Sequence, residues 1–267
     1  MYQFNYHKAS NLSDAAGALV KNADAKLLAG GQTIIAAMKL RLASPSDLID
    51  LAGIAELRGI KVDGSTLTIG AMTTHADVAA SGDVKKAIPA LARLAGGIGD
   101  RMVRNLGTIG GSLATNDPAA DYPAGVLGLG ATINTNKRKL TADEFFKGMY
   151  ETALQPGEII TSVSFPVPKR AGYIKFKNPA SRYAIVGVFV SNGAGGVRVA
   201  VTGAGSCVFR VASMEKALAA NFSPDAVANI QVPSSGLNSD LHATAEYRAH
   251  LVTVMAKRAV EQALSGS

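Results

Sequence analysis

The sequence predicts a mixed helix-and-sheet protein in two parts, an α/β body to about residue 170 and an α+β tail. Three observations carry this. In the first part, short apolar runs alternate with segments of helical spacing. A composition break falls near Lys169 to Gly172. Beyond it come two apolar strands and a long amphipathic helix, which is the order of a small sheet covered by helices. No internal repeat and no low-complexity linker interrupts the chain.

The elements follow in order. Asn11 to Asn22 has helical spacing, with Ala15, Ala16, Leu19 and Val20 on one face and Ser10 or Asn11 as its cap. Lys26 to Ala29 is a short apolar run entering Gly30-Gly31. Ile34 to Leu42 then reads as a helix and Asp47 to Leu51 as a strand, closing a β-α-β unit. A hairpin turns at Asp63-Gly64 into Thr66 to Ile69. Thr74 to Ala80 is a capped helix, and Pro89 to Leu94 continues in helical spacing until Gly96, Gly97 and Gly99 break it. Val103 to Ser112 reads as a polar, glycine-rich stretch between ordered regions. Gly125 to Leu129 is a short helix or turn, Ala131 to Asn134 a strand, Lys137-Arg138-Lys139 a hairpin turn, and Ile159 to Phe165 a strand stopped by Pro166 and Pro168. In the tail, strands Ala184 to Ser191 and Val197 to Thr202 are joined by a turn at Asn192 to Gly196. A helix covers Val211 to Ala220. The last helix runs from about Ala243 to Ala263, with Tyr247, Leu251, Val254 and Val260 as its apolar positions.

Composition bounds the function. Hydrophobic residues make up 48% and charged residues 18% of 267, a globular balance. The opening residues MYQFNYHKAS lack a charged region followed by an apolar one, so no signal peptide is read, and no apolar run is long enough to span a bilayer. A cytoplasmic location is expected, with or without peripheral attachment to an inner membrane. The single cysteine, Cys207, excludes an internal disulfide, a cysteine-ligated zinc site and an iron–sulfur cluster held by this chain alone. The net charge of +7 is scattered and not interleaved with aromatic residues, which argues against nucleic acid. It suits an anionic cofactor or an acidic partner.

Two glycine loops carry the candidate chemistry. Ala29-Gly30-Gly31-Gln32-Thr33 sits between a strand and a helix. There, exposed N–H groups attract phosphate oxygens and glycine lets the backbone come close. The alternative is an ordinary tight turn. Gly107-Thr108-Ile109-Gly110-Gly111-Ser112, followed by Thr115, Asn116, Asp117 and Asp121, offers bare backbone and hydroxyls for a diphosphate and carboxylates for a sugar. The alternative is a surface loop with capping residues. A third run, Gly203-Ala204-Gly205-Ser206-Cys207-Val208, imitates a dinucleotide fingerprint but lacks its third glycine, and no acid follows at the right distance. His7, His75, His242 and His250 have no metal-ligand spacing, and Ser112 and Ser206 lie outside any nucleophile elbow. No acid–base–nucleophile set emerges, as expected where a cofactor carries the reaction.

At these loops the chain resembles the FAD-binding medium subunit of the molybdenum hydroxylases, the group that includes carbon monoxide dehydrogenase and the flavin domain of xanthine dehydrogenase. Beyond the loops, Gly157-Glu158-Ile159-Ile160, Phe176-Lys177, Arg182-Tyr183-Ala184, Asp240-Leu241-His242 and Glu246-Tyr247-Arg248 match later family segments. The resemblance implies an α+β, vanillyl-alcohol-oxidase-like (PCMH-type) FAD-binding fold. Two α/β subdomains, about 1–55 and 56–170, would hold FAD. A C-terminal domain over 171–267, a three-stranded antiparallel sheet with helices, would close over the ring. It implies that Leu28, Ala29, Gly30, Gly31, Gln32, Thr33 and Ile34 wrap the diphosphate. Thr108, Ile109, Gly110, Gly111, Ser112 and Thr115 would hold the phosphate and ribitol side, and Asp121 a polar group of the cofactor. Ile98 and Ile160 would pack on its apolar parts, and Lys177 and Tyr183 would lie near the ring.

The family further implies a small subunit with two [2Fe–2S] clusters and a large subunit with the molybdenum cofactor. The expected assembly is a dimer of heterotrimers, and this chain passes electrons from the clusters to an external acceptor. No metal and no catalytic residue is expected in this chain. Ser112 stands where relatives often carry Asp or Asn, and some relatives hold an extra iron–sulfur cluster that one cysteine cannot support. A free-standing FAD oxidoreductase would need its own acid–base set. A flavin-free assembly module would have degraded glycine loops.

Overall fold

A computed structural model describes residues 1–266. The first unit is a three-stranded parallel sheet: β1 (Asn5–Lys8), α1 (Leu12–Lys21), β2 (Lys26–Leu28), α2 (Ile34–Lys39) and β3 (Asp47–Asp50), in strand order β1-β3-β2. The β-α-β unit expected from the glycine turn is present. Asn11, not Ser10, caps α1, its side chain accepting from Asp14 N–H at 2.9 Å. Two readings are corrected here. Val20 is exposed, since the buried face of α1 centres on Ala15. The helix after the loop stops at Lys39, where Arg41 turns the chain through positive φ.

The second unit is a five-stranded antiparallel sheet with helices on it. Its members are β4 (Ile60–Asp63), β5 (Thr66–Gly70), α3 (His75–Ala80), α4 (Gly82–Ala87), α5 (Pro89–Gly96), α6 (Arg101–Leu106), α7 (Ile109–Thr115), α8 (Tyr122–Leu129), β6 (Thr132–Thr135), β7 (Lys139–Thr141), α9 (Ala142–Phe145), β8 (Phe146–Gly148), β9 (Glu151–Thr152) and β10 (Ile160–Pro166). The strand order is β4-β5-β10-β6-β7, with β8 and β9 forming a separate hairpin. The stretch Val103 to Ser112, read as irregular, is two short helices. Asp100 caps α6 and Thr108 caps α7, and Gly107 separates them. Glycine is tolerated at the start of α7 because the first helical N–H groups have no intrahelical partner to lose.

The tail contains β11 (Arg170–Lys177), β12 (Ala184–Gly193), β13 (Gly196–Thr202), β14 (Phe209–Arg210), α10 (Ala212–Ala220), α11 (Pro224–Val227) and α12 (Ala245–Ser265). The antiparallel sheet runs β11-β12-β13-β14, three long strands with a two-residue fourth. The composition break at Lys169 to Gly172 lies inside the start of β11 and is no linker. β12 is apolar on both faces because both are covered. Val186, Val188 and Val190 face α10 and α12, while Phe189 joins the core of the second unit beneath α8. Close approach explains two glycines: a Cβ on Gly172 would lie 2.1 Å from Ala259 O of α12, and one on Gly128 of α8 2.8 Å from Phe189. On α12, Leu251 and Val260 are buried as expected, whereas Tyr247 is exposed and meets the edge of Phe176.

Candidate functional site

The two glycine loops, about eighty residues apart in sequence, touch. A Cβ on Gly30 would lie 2.0 Å from Leu106 O and 2.7 Å from the Gly107 Cα, so only a bare backbone fits. A Cβ on Gly111 would meet Thr108 Oγ1 at 3.0 Å and the Ala29 Cβ at 3.4 Å. The end of β2, the start of α2 and the α6–α7 junction therefore form one wall.

Hydrogen-bond accounting separates the loops. The N–H groups of Gly30, Gly31, Gln32 and Thr33 meet no acceptor among the described residues. Gly31 is in the left-handed region at φ 70°. Thr33 precedes α2 without capping it, and Gln32 Nε2 donates at 3.3 Å to Gly30 O. A half-exposed run of free N–H donors is a set for an anion. The second loop differs from expectation, since its backbone is not bare. Ile109 N–H donates to Thr73 O at 3.2 Å, Gly110 N–H to Ala71 O at 2.8 Å and Gly111 N–H to Thr108 Oγ1 at 3.2 Å. What it leaves open is one side chain: the Ser112 hydroxyl has no partner among the described residues, whereas Thr115 Oγ1 already donates to Gly111 O at 2.8 Å. Leu28 and Ile34 flank the first loop, half-buried.

Ile98, Asp121 and Tyr183 gather around a residue that sequence reasoning missed. Lys175 Nζ donates to Asp121 Oδ2 at 3.0 Å, to Gly97 O at 2.9 Å and to Arg182 O at 2.8 Å. Tyr173 Oη donates to Asp121 Oδ1 at 2.5 Å. Both oxygens of Asp121 are thus taken inside the chain. Burial pushes its carboxyl upward, while Lys175 and Tyr173 pull it back down. Arg104 donates to Ile98 O at 2.9 Å and Arg182 to Gly99 O at 3.2 Å, fixing the Ile98 turn from two sides. A lysine between Ile174 and Phe176 in an apolar strand was the available signal. Tyr183 is half-exposed beside Asp117 and Tyr150; burial first, then Asp117, raises its hydroxyl. Lys177 is exposed at the end of β11, and Ile160 is buried in the main core. The structure does not bring either side chain to the glycine wall.

His75 was also missed. It is buried behind Gly107: its N–H donates to Gly107 O at 2.9 Å, and a Cβ on Gly107 would lie 2.6 Å from its Nε2. His242 and His250 are exposed, no metal-binding group of His, Cys, Asp and Glu occurs among the described residues, and Gly203 serves a close approach, 2.4 Å from a Cβ to Ala184 O, and not a helix entry. No helix among the described residues is long and apolar enough to cross a membrane.

The fit to FAD is one of cradle and donors: close-approach glycines at 30 and 111, unpartnered N–H groups at 30 to 33, and hydroxyls at 33 and 112. Comparison with known proteins agrees. Residues 2–168 match the family described as the FAD binding domain in molybdopterin dehydrogenase. The chain is 34% identical to the carbon monoxide dehydrogenase medium chain of Hydrogenophaga pseudoflava, covering 98% of this chain and 97% of that one. It is 34% identical to the nicotine 6-hydroxylase medium subunit of Paenarthrobacter nicotinovorans, covering 97% and 96%. Among solved structures, a chain of the reconstituted CO dehydrogenase from Oligotropha carboxidovorans superposes with a TM-score of 0.90 at 32% identity, covering 100% of this chain and 99% of that one. The chain belongs to the FAD-binding medium subunits of the molybdenum hydroxylases, oxidoreductases whose molybdenum and iron–sulfur centres lie on partner subunits.

Proposed function

We propose that this chain is the electron relay of a three-subunit molybdenum hydroxylase. FAD bound here would take electrons from the [2Fe–2S] clusters of a small subunit and deliver them to an external acceptor, while a large subunit transforms the substrate. The observation that carries this reading is the meeting of the two glycine loops beside four unpartnered N–H groups. The chain's own residues have two tasks. Gly30 to Thr33 donate N–H bonds to the diphosphate, with Leu28, Ala29 and Ile34 flanking them and Thr108, Ile109, Gly110, Gly111, Ser112 and Thr115 lining the opposite side. Ile98, Asp121, Ile160, Lys177 and Tyr183 bound the ring end, where Lys175 fixes the turns that carry Ile98 and Tyr183 from within the fold. Residues 1–170 form the FAD-binding unit, with halves of about 1–55 and 56–170, and 171–267 close it. The assembly is a dimer of heterotrimers in the cytoplasm, with or without peripheral contact with the inner membrane.

The test is the absorption spectrum of the complex purified with its neighbours, followed by identification of released cofactor. Flavin bands resolving to FAD, with iron–sulfur absorbance from the partners, are expected. Gly30→Ala, which drives a methyl group into Leu106 O, should lower flavin occupancy by more than about tenfold. A colourless wild-type complex that also fails to take up added FAD would refute the relay.

A further inference from the structure

Beside Tyr183 lies a pocket of about 340 Å³, between the tip of the β8–β9 hairpin and the tail sheet. It is separate from the cofactor wall, since no residue of either glycine loop lines it. Three of the four described non-glycine residues with left-handed backbone stand around it: Asn116 at φ 46°, Tyr150 at 57° and Arg182 at 64°. Such strain persists only where the surroundings over-determine it, and it gathers at functional sites. Here the surroundings are specific. Asn116 is 1% exposed, and its Nδ2 donates to Gly148 O and Glu151 O, both at 2.8 Å. Its backbone oxygen accepts Tyr150 N–H at 3.2 Å. The residue that follows α7 thus clasps the hairpin tip, and Tyr150 and Tyr183 are held as two walls of one pocket.

The lining selects a class of molecule. Arg248 is its one permanent cation, 3% exposed and turned into the fold: Nη1 donates to Ile185 O at 2.6 Å and Gly203 O at 3.1 Å, and Nη2 to Asp240 Oδ2 at 2.7 Å. Asp117 and Asp240 add negative charge, and the backbone N–H groups of Ser181, Tyr183, Ala184 and Gly203 are spent inside the chain. A phosphate-bearing dinucleotide finds no seat there. Two donors remain. Asn178 Oδ1 accepts from Ala180 N–H and Ser181 N–H, which leaves Nδ2 without a partner among the described residues, and the Tyr183 hydroxyl has none either. Free donors between two aromatic rings suit the carbonyl oxygens of a flat, uncharged molecule. The rim is apolar, with Met149 and Leu241 both exposed. We propose that this pocket seats the external acceptor and that the acceptor is of the quinone class, an uncharged ring bearing two carbonyl oxygens. The proposal rests on the relay reading and deepens it. The quinone accepts two electrons and two protons from the reduced flavin, which returns to FAD, and leaves as the quinol.

The test uses the complex purified with its neighbours, first in the oxidised state, so that no electron moves. Calorimetric titration with 1,4-naphthoquinone should show one site per copy of this chain, and titration with NAD none. Tyr150→Gly keeps the left-handed turn and removes one wall. It should weaken naphthoquinone binding about tenfold while FAD per chain holds, and Tyr150→Phe should retain the wild-type affinity. After reduction with dithionite, reoxidation by dilute naphthoquinone should slow by the same factor in Tyr150→Gly, and reoxidation by ferricyanide should not. Equal naphthoquinone affinity in wild type and Tyr150→Gly overturns the proposal. So does NAD binding that naphthoquinone displaces, and so does a flavin-loaded complex that binds no naphthoquinone and is reoxidised only by a carrier protein. A wild-type complex without FAD would remove the relay reading and the proposal with it, and its missing flavin bands tell that failure from the others.

Discussion

His75 shows how one side chain is priced by its surroundings. It is 4% exposed, its Nδ1 has no partner among the described residues, and its ring lies 5.3 Å from that of Tyr122. Burial, then the nearby charge of Arg104, lowers its pKa from 6.5 to about 4. As pH falls, the unfolded chain takes up this proton first. The contribution of the neutral imidazole is therefore complete above about 6.5 and is lost between 6.5 and 4. At about 1.4 kcal/mol per unit the loss is roughly 3 kcal/mol. Urea unfolding from pH 7.5 to 4 should show that slope in the wild type, and His75→Leu should flatten it. An unchanged slope in the variant would place the acid sensitivity elsewhere. Glu158, held at about 2 by its hydrogen bonds with Arg138, acts between 4.5 and 2, overlaps only the last half unit of that range and is common to wild type and variant, so the difference between the two isolates His75.

At the scale of elements, α7 is governed by its first turn. Thr108 caps it, Gly111 N–H completes the cap at 3.2 Å, and the bare Gly111 Cα leaves room for Ala29. Gly111→Val would push a branched side chain against both. The expected outcome is loss of flavin by more than about tenfold, with a cooperative melt retained at a midpoint several degrees lower; full flavin occupancy would show that this turn does not face the cofactor. The same turn shows what was legible in the sequence. Its glycines stood out in the sequence, and close approach is what demands them: a Cβ on Gly110 would lie 2.6 Å from the Ala71 Cβ. The meeting of the two loops was not legible, because nothing in either segment encodes the other. Nor was the helical state of α6 and α7: helices of six and seven residues do not develop periodicity, and glycine argues against them. β1 was missed because all of its residues are exposed, and β11 because Lys175 and Lys177 interrupt its apolar run. The long strands β12 and β13 and the long amphipathic helix α12 were read within a few residues.

Across the whole molecule, the tail does not hang from the body but shares its core. Tyr173, Phe189 and Ala200 of the tail sheet belong to the same hydrophobic cluster as Leu91, Tyr122 and Phe165. Polar contacts cross the seam as well. Ser191 Oγ donates to Gly128 O at 2.6 Å, Arg198 Nε to Leu127 O at 2.9 Å and Thr202 Oγ1 to Ala120 O at 2.6 Å. The chain should therefore unfold in one cooperative transition. The buried pair Lys175–Asp121 is the point where the seam meets the proposed site, with side chains 8% and 4% exposed. Lys175→Met would leave Asp121 buried beside Tyr173 without its cation, at a cost of about 3–5 kcal/mol. It would also free Gly97 O and Arg182 O, loosening the turns that carry Ile98 and Tyr183. The variant should lose stability and release flavin faster together. Adding Asp121→Asn removes the stranded charge but not the loosened turns, so stability should return in large part while flavin release stays fast. Recovery of both would mean that the pair acts on the cofactor only through the stability of the fold; recovery of stability alone assigns Lys175 the positioning of the ring-end loops.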